Sequence, residues 1–324
     1  MSELDEFHGE LRRVARDLLS QPASWQQLVD AGWTGLEVAE SLGGAGASFV
    51  ETAIVLEELG RAAAPTSYLG SVLAVGALTA LQPKNSRDAL LERVGAGTTA
   101  ALASGFTVSD GVVSGRAEFV PDAEGAELML LLAEGDDGPV VVTSPELSVE
   151  AQPVLDETRA LAVVTADGAV IAESWPLAAD PAKLRDLSSV AVACDSLGVA
   201  EAMLAATVDY VKVRHQFGRP IGSFQAVKHA CADMLVQTSV ARQLVDAAVV
   251  QVAKGTDAWA AASMAKSYAC GMAVDVVGKA MQLHGGIGYT WESGVHVYLK
   301  RAALNRALFD SPTVHRQRLA QRYG

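Results

Sequence analysis

Hydrophobic and polar positions repeat along this chain with two different periods, and the changes of period divide it in three. Up to about residue 97, apolar residues recur every three or four positions, the spacing of one helical face. ETAIVLEELGRAA (51–63) sets Ile54, Leu56 and Leu59 among carboxylates, and Ser24 stands where it can cap a helix over SWQQLVDAGW. The glycine loop SLGGAGAS lies between them. From 98 to about 178, short apolar runs are broken by turn signals: Asp110-Gly111 before VVSG, and Gly-Asp-Asp-Gly at 135–138 before PVVVTS. This predicts a small antiparallel β unit, a sandwich or a barrel. From Asp180 the helical period returns, with Asp180-Pro181 as an N-cap followed by a first-turn proline. One long helix is predicted to end at Arg214. A second opens at Ser223, and a third opens at Thr256 or Asp257 and runs through Met281. Long helices with short links read as an antiparallel bundle. The expected organisation is a helical domain over 1–97, a β domain over 98–178 and a helical bundle over 179–324. The class is α+β, mainly α, because a parallel α/β sheet would alternate strand and helix throughout.

Half of the residues are hydrophobic and 19% are charged, a globular composition and not a disordered one. The net charge of −13 argues against a nucleic-acid surface, which needs clustered Lys and Arg. An anionic ligand would have to be held by a few placed cations. The opening MSELDEFHGELRRVARDLL is acidic and amphipathic and is not expected to be a signal peptide. No membrane span is expected, since no run of about 18 apolar residues is free of polar interruption. Cys194, Cys231 and Cys270 lie far apart in alanine-rich helical patterns and read as buried free thiols, which fits a cytoplasmic protein. His215, His229, His284, His296 and His315 show no metal-ligand spacing.

Two stretches carry candidate chemistry. QLHGGIGYTWE (282–292) is not a Gly-x-Gly-x-x-Gly fingerprint, because it ends a helix where that motif opens one. It is either a plain glycine C-cap or a clearance through which a phosphate approaches backbone. VRHQFGRPIGSFQ (213–225) places Arg214 at a helix end, turns at Phe217-Gly218, is fixed by Pro220 and starts the next helix at Gln225. It is either an interhelical loop whose Arg faces a helix dipole or an Arg offering charge-assisted hydrogen bonds to a pyrophosphate, each worth roughly 1.5–3 kcal/mol.

Taken jointly, R-x-x-FG-x-P-I-x-x-FQ and the later Q-x-x-GG-x-G resemble the acyl-CoA dehydrogenase family. WTGLEVAESLGGAGASFVETAIVLEELGRAAAPT looks like that family's N-terminal helical domain, so the resemblance extends along the chain. It implies FAD bound across a subunit interface. Arg214, Phe217 and Gln225 would meet its pyrophosphate and adenosine end. Gln282 and the backbone of His284, Gly285, Gly286 and Gly288 would close over the same region, largely for the flavin of a neighbouring subunit. GGAG at 43–46 is either a family loop near the acyl pocket or a plain turn.

The pattern breaks where the family holds its catalytic base, usually a Glu in a Y-E-G-T-type stretch. Here ALFDSPTVHRQRL puts Phe309 and Asp310 in the Tyr and Glu places and Ser311-Pro312 after them. Asp310 is the catalytic candidate by position, and a capping or surface acid otherwise. The family's alternative base position falls near Ser188, and the substrate-gripping Arg that the family has in the same turn is missing, with Ser189 nearby. ALASGFTVSDG lacks the T-E-P-x-x-G-S-D pattern that holds flavin ring and thioester. Tyr289 and Trp291 read as packing residues. These selective losses imply a subunit of a heteromeric enzyme resembling actinobacterial α2β2 acyl-CoA dehydrogenases that act on CoA thioesters of steroid side chains. A full-length partner would carry the Glu base and acyl pocket, the complex would desaturate an acyl-CoA substrate, and electrons would pass to an electron-transfer flavoprotein. A self-sufficient homo-oligomer with Asp310 as base, and a non-catalytic scaffold, are the alternatives.

Overall fold

The computed structural model describes residues 3–321. The described helices are α1 Glu3–Leu19, α2 Trp25–Asp30, α3 Phe49–Ala62, α4 Tyr68–Thr79, α5 Asn85–Gly95, α6 Ala182–Val213, α7 Gln225–Ala253, α8 Trp259–His284, α9 Val295–Ala307 and α10 Pro312–Gln321. The strands are β1 Ala100–Ser109, β2 Val112–Pro121, β3 Leu128–Gly135, β4 Gly138–Thr143, β5 Ser148–Ala151, β6 Leu161–Val170, β7 Glu173–Pro176, and the short pair β8 His215–Gln216 and β9 Arg219–Pro220. The chain forms two compact units: Pro22–Thr52 with Pro65–Leu187, and Met1–Gln21 with Ala53–Ala64 and Ser188–Gly324.

In the first unit, Ser24 and Gln27 form a reciprocal capping box at the start of α2. The helix stops at Asp30, short of the predicted stretch, because Gly32 turns the chain at a φ of +75°. β1 to β7 make one hydrogen-bonded sheet in the order β5-β6-β2-β1-β3-β4-β7. The turns fall where the sequence signals them. Asp110 and Gly111 both have positive φ between β1 and β2, and Gly135 pairs with Gly138 across the β3–β4 turn. One pairing departs from the antiparallel expectation. β1 and β3 are parallel, with Ala100 opposite Leu128. After β2 the chain crosses back to the start of β1, where the Thr99 carbonyl accepts hydrogen bonds from the backbone N–H of both Glu127 and Leu128 at 3.0 Å. Alternate residues enter different cores, as the two-residue period of a strand demands. Ala100, Leu130 and Val141 join a cluster with Leu78, Val94 and Trp175, while Ala101, Leu131 and Val142 join one with Phe106, Val113 and Val164.

In the second unit, α6 has the length and apolar content of a membrane span, but most of its apolar stretch is buried, as befits the core helix of a bundle. Two glycines set its distance from α3. A Cβ on Gly60 would meet the Asp195 carbonyl oxygen at 2.0 Å, and one on Gly198 would meet the Glu57 carbonyl oxygen at 1.9 Å. Beside this crossing, Arg301 of α9 grips the buried Asp195 with two nitrogens, the shortest contact being 2.6 Å. Asn305 Nδ2 donates to the same carboxylate at 2.6 Å. Arg242 of α7 bridges Glu57 at 2.7 Å and Glu201 at 2.6 Å. Cys194 and Cys270 are buried free thiols as read from sequence, Cys231 is partly exposed, and burial holds the Cys194 thiol well above its ordinary pKa.

Candidate functional site

The residues picked from sequence gather at the end of the second unit where α6 and α8 finish. α6 stops at Val213, and Arg214 N–H still bonds the Tyr210 carbonyl at 2.9 Å. The chain then forms the β8–β9 hairpin, with Phe217-Gly218 as its two-residue loop. Both loop residues have positive φ, +53° and +77°, as the I′-type hairpin turn requires. Glycine adopts this freely, but a bulky side chain there costs about 1–2 kcal/mol. Phe217 is nonetheless at the tip, and it is 90% exposed. Its ring meets Phe224 edge-on at 6.1 Å, and the Arg219 guanidinium lies 4.2 Å from the Phe224 centroid. Arg214 is exposed, and among the described residues no carboxylate pairs with it.

α8 runs to His284, three residues beyond the predicted end, so the glycines follow it at once. Each has its own reason. Gly285 terminates the helix at φ +66° and ψ −144°, a conformation open essentially to glycine alone. A Cβ on Gly288 would lie 2.4 Å from the Met281 carbonyl oxygen. Both are therefore demanded by backbone, one by conformation and one by close approach. Gly286 is different. It is exposed, and nothing within 4 Å would meet a Cβ there. Its missing side chain clears space on the outer face.

The residue that joins the two stretches is Tyr210, which the sequence reading did not single out. Its ring stacks on His284 at 4.4 Å with 18° between planes, and its hydroxyl donates to the His284 carbonyl at 3.2 Å. His284 Nδ1 in turn contacts the Ala280 carbonyl at 2.7 Å. Tyr210 lies one turn before Arg214, a helical spacing that a sequence offers as packing and not as a contact to a segment 74 residues away. Gln225 begins α7 and is exposed, and Gln282 is exposed with Lys279 Nζ 3.5 Å from its Oε1. Tyr289 and Trp291, expected to pack, are 70% and 74% exposed, with Lys300 Nζ 5.1 Å from the Trp291 ring centroid. This end of the bundle therefore presents a guanidinium, bare aromatic rings and a glycine edge, a set suited to a phosphate-bearing aromatic group arriving from outside the chain.

Asp310 stands elsewhere, in the link between α9 and α10. It follows Phe309 with a second positive φ, and its carboxylate, 43% exposed, is engaged by Arg318 at 2.7 Å. Buried His315 holds the same link through the Phe309 carbonyl at 2.9 Å, and burial lowers the imidazole's pKa. Ser188 and Ser189 are buried near the start of α6 and supply no carboxylate.

Residues 3–98 match the family description "Acyl-CoA dehydrogenase, N-terminal domain" and residues 186–324 match "Acyl-CoA dehydrogenase, C-terminal domain". The chain is 37% identical over 308 residues to the acyl-CoA dehydrogenase IpdE2 of Mycobacterium tuberculosis, covering 92% of this chain and 86% of that one. Among solved structures it is similar to a variant of the Tcur3481–Tcur3483 steroid ACAD, with a TM-score of 0.87, 28% identity and 98% of each chain covered. It is also similar to the ChsE4–ChsE5 complex of Mycobacterium tuberculosis, with a TM-score of 0.86, 25% identity and coverage of 99% and 97%. With both terminal domains matched and its elements laid out as in those structures, this chain belongs to the acyl-CoA dehydrogenase family, whose members are FAD-dependent oxidoreductases.

Proposed function

We propose that this chain is a subunit of a heteromeric acyl-CoA dehydrogenase, and that the exposed end of its bundle completes the FAD site of a full-length partner. The observation that carries the reading is Phe217, held bare at a strained hairpin tip beside an Arg214 that no carboxylate pairs with among the described residues. A side chain held in that way is accounted for by a ligand or chain that covers it. Arg214 would hold the pyrophosphate, Phe217 and Gln225 the adenosine side, and Gln282 with the backbone at His284, Gly285, Gly286 and Gly288 would close over it. FAD bound there supplies a two-electron acceptor for the hydride leaving the acyl β-carbon. The α-proton acceptor belongs to the partner, because Asp310 is paired with Arg318 on the surface. Relatives described as a steroid ACAD and as a two-protein complex support a CoA thioester of a steroid side chain as substrate and an α2β2 assembly. An electron-transfer flavoprotein would reoxidise the cofactor, and the assembly would work in the cytoplasm.

The test is the visible flavin absorbance per chain. The chain purified alone should carry little flavin, and co-expression with a full-length homologue should restore it. Full occupancy in a homo-oligomer sinks the proposal. Within the restored complex, Arg214→Ala should lower flavin affinity, whereas a scaffold would keep it. Asp310→Asn should leave desaturation within a few-fold of wild type, against the 10²–10⁴-fold loss typical of removing a general base.

A further inference from the structure

A second polar site lies in the sheet-bearing unit and uses none of the residues assigned to the cofactor. Thr34, Glu37, Thr52, Tyr68, Ser71 and Val72 line a cavity of about 10 Å³, room for one water-sized group. The hydroxyls there already donate elsewhere. Thr34 Oγ1 donates to the Gly95 carbonyl at 2.8 Å and Thr52 Oγ1 to Glu37 Oε1 at 2.7 Å. Tyr68 Oη donates to the Trp33 carbonyl at 3.2 Å and Ser71 Oγ to the Ser67 carbonyl at 3.4 Å. A hydroxyl has one proton and two lone pairs, so what these groups still offer the cavity is acceptor capacity. Glu37 adds to it, since among the described residues only its Oε1 has a hydrogen-bond partner.

We propose that this cavity is a built subsite for one neutral O–H group, either a water molecule or the hydroxyl of a small molecule, held by Glu37. A carbonyl or ether oxygen would set lone pair against lone pair whenever Glu37 is ionised, and so serves only its protonated form. An aliphatic tip would give the second oxygen of this half-buried carboxyl no hydrogen bond and take away some of its water. Glu37 also changes protonation near neutrality. Burial raises its pKa to about 7, opposed by the Thr52 hydrogen bond and reinforced by the charge of Glu51, with Tyr68 the other titratable group close by. An O–H group serves both forms, because it donates to the carboxylate and accepts from the carboxylic acid. A monovalent cation serves only the ionised one.

High-resolution crystal structures of the protein in its native assembly test this, from plain aqueous buffer and after a methanol soak. The expected result is a single oxygen within about 2.6–3.2 Å of Glu37 Oε2. On soaking it either exchanges for the methanol oxygen, which assigns the site to hydroxyl-bearing ligands, or stays, which assigns it to water. It should vanish in Glu37→Met, which keeps the volume and removes the acceptor, and persist in Thr52→Val. An empty cavity in the wild type overturns the proposal, as does an oxygen that survives Glu37→Met. So does replacement of the peak by rubidium, identified by its anomalous signal, which would make the cavity a cation site.

Discussion

At the scale of single residues, Phe217 separates stability from function most cleanly. Its φ of +53° suits asparagine far better than phenylalanine. Phe217→Asn should therefore stabilise the isolated chain by up to ~1 kcal/mol, read as a raised thermal midpoint. The same substitution should loosen flavin in the assembled enzyme. If the midpoint falls, the tip is held by contacts within this chain and the strain argument is wrong. Glu37 yields a prediction in pH. Its folded pKa of about 7 lies above the ordinary 4.5, so folding favours the protonated form. That contribution is complete below 4.5 and is lost as pH rises through about 7. The wild-type thermal midpoint should fall relative to Glu37→Gln across that window, by the equivalent of ~2 kcal/mol after allowing for the carboxyl's partial solvent access. Parallel curves for the two proteins would contradict it. Both residues were visible in the sequence, but neither property was. A positive φ at phenylalanine runs against local preference, and Glu37 looked like any acid before a glycine loop.

At the scale of elements, the helices were legible because one-sided apolar spacing and caps are local. Their crossings were not, because a glycine in a helical run only lowers helix propensity until its neighbour is known. Gly60 and Gly198 gain meaning together, each lying against the other helix's backbone. With the obstructing atoms on backbone, Gly198→Ala must push α3 and α6 apart and disturb the buried Asp195–Arg301 pair next to the crossing. A loss of roughly 2–4 kcal/mol is expected in chemical denaturation. By contrast, Gly286→Ala should cost only a few tenths, since a Cβ there meets nothing within the chain. Equal effects at the two sites would show that helix propensity, and not crossing distance, governs both. The β1–β3 pairing is the strand counterpart. The two-residue period identified strands and faces, but which strands become neighbours depends on a crossover that periodicity does not encode.

At the scale of the whole molecule, the candidate site was legible only as two separated motifs, and Tyr210 is what physically unites them. Its stack on His284 fixes the glycine turn, while its backbone carbonyl anchors the first residue of the hairpin segment. What the motifs could not convey is that the groups they supply face outward. A site that faces outward makes ligand stabilisation conditional on assembly. A ligand that binds only the folded state stabilises it by RT ln(1 + [L]/Kd), about 2.7 kcal/mol at a hundredfold excess over Kd. Added FAD should therefore leave the thermal midpoint of the chain alone nearly unchanged and raise that of the partnered complex. Arg214→Ala should remove most of the increment without lowering the midpoint measured in the absence of FAD, because the exposed guanidinium has no carboxylate partner to lose among the described residues. Tyr210→Phe keeps the ring stack and removes one hydrogen bond, so it should fall between the two. A midpoint increment equal with and without the partner would mean that the chain binds the cofactor by itself.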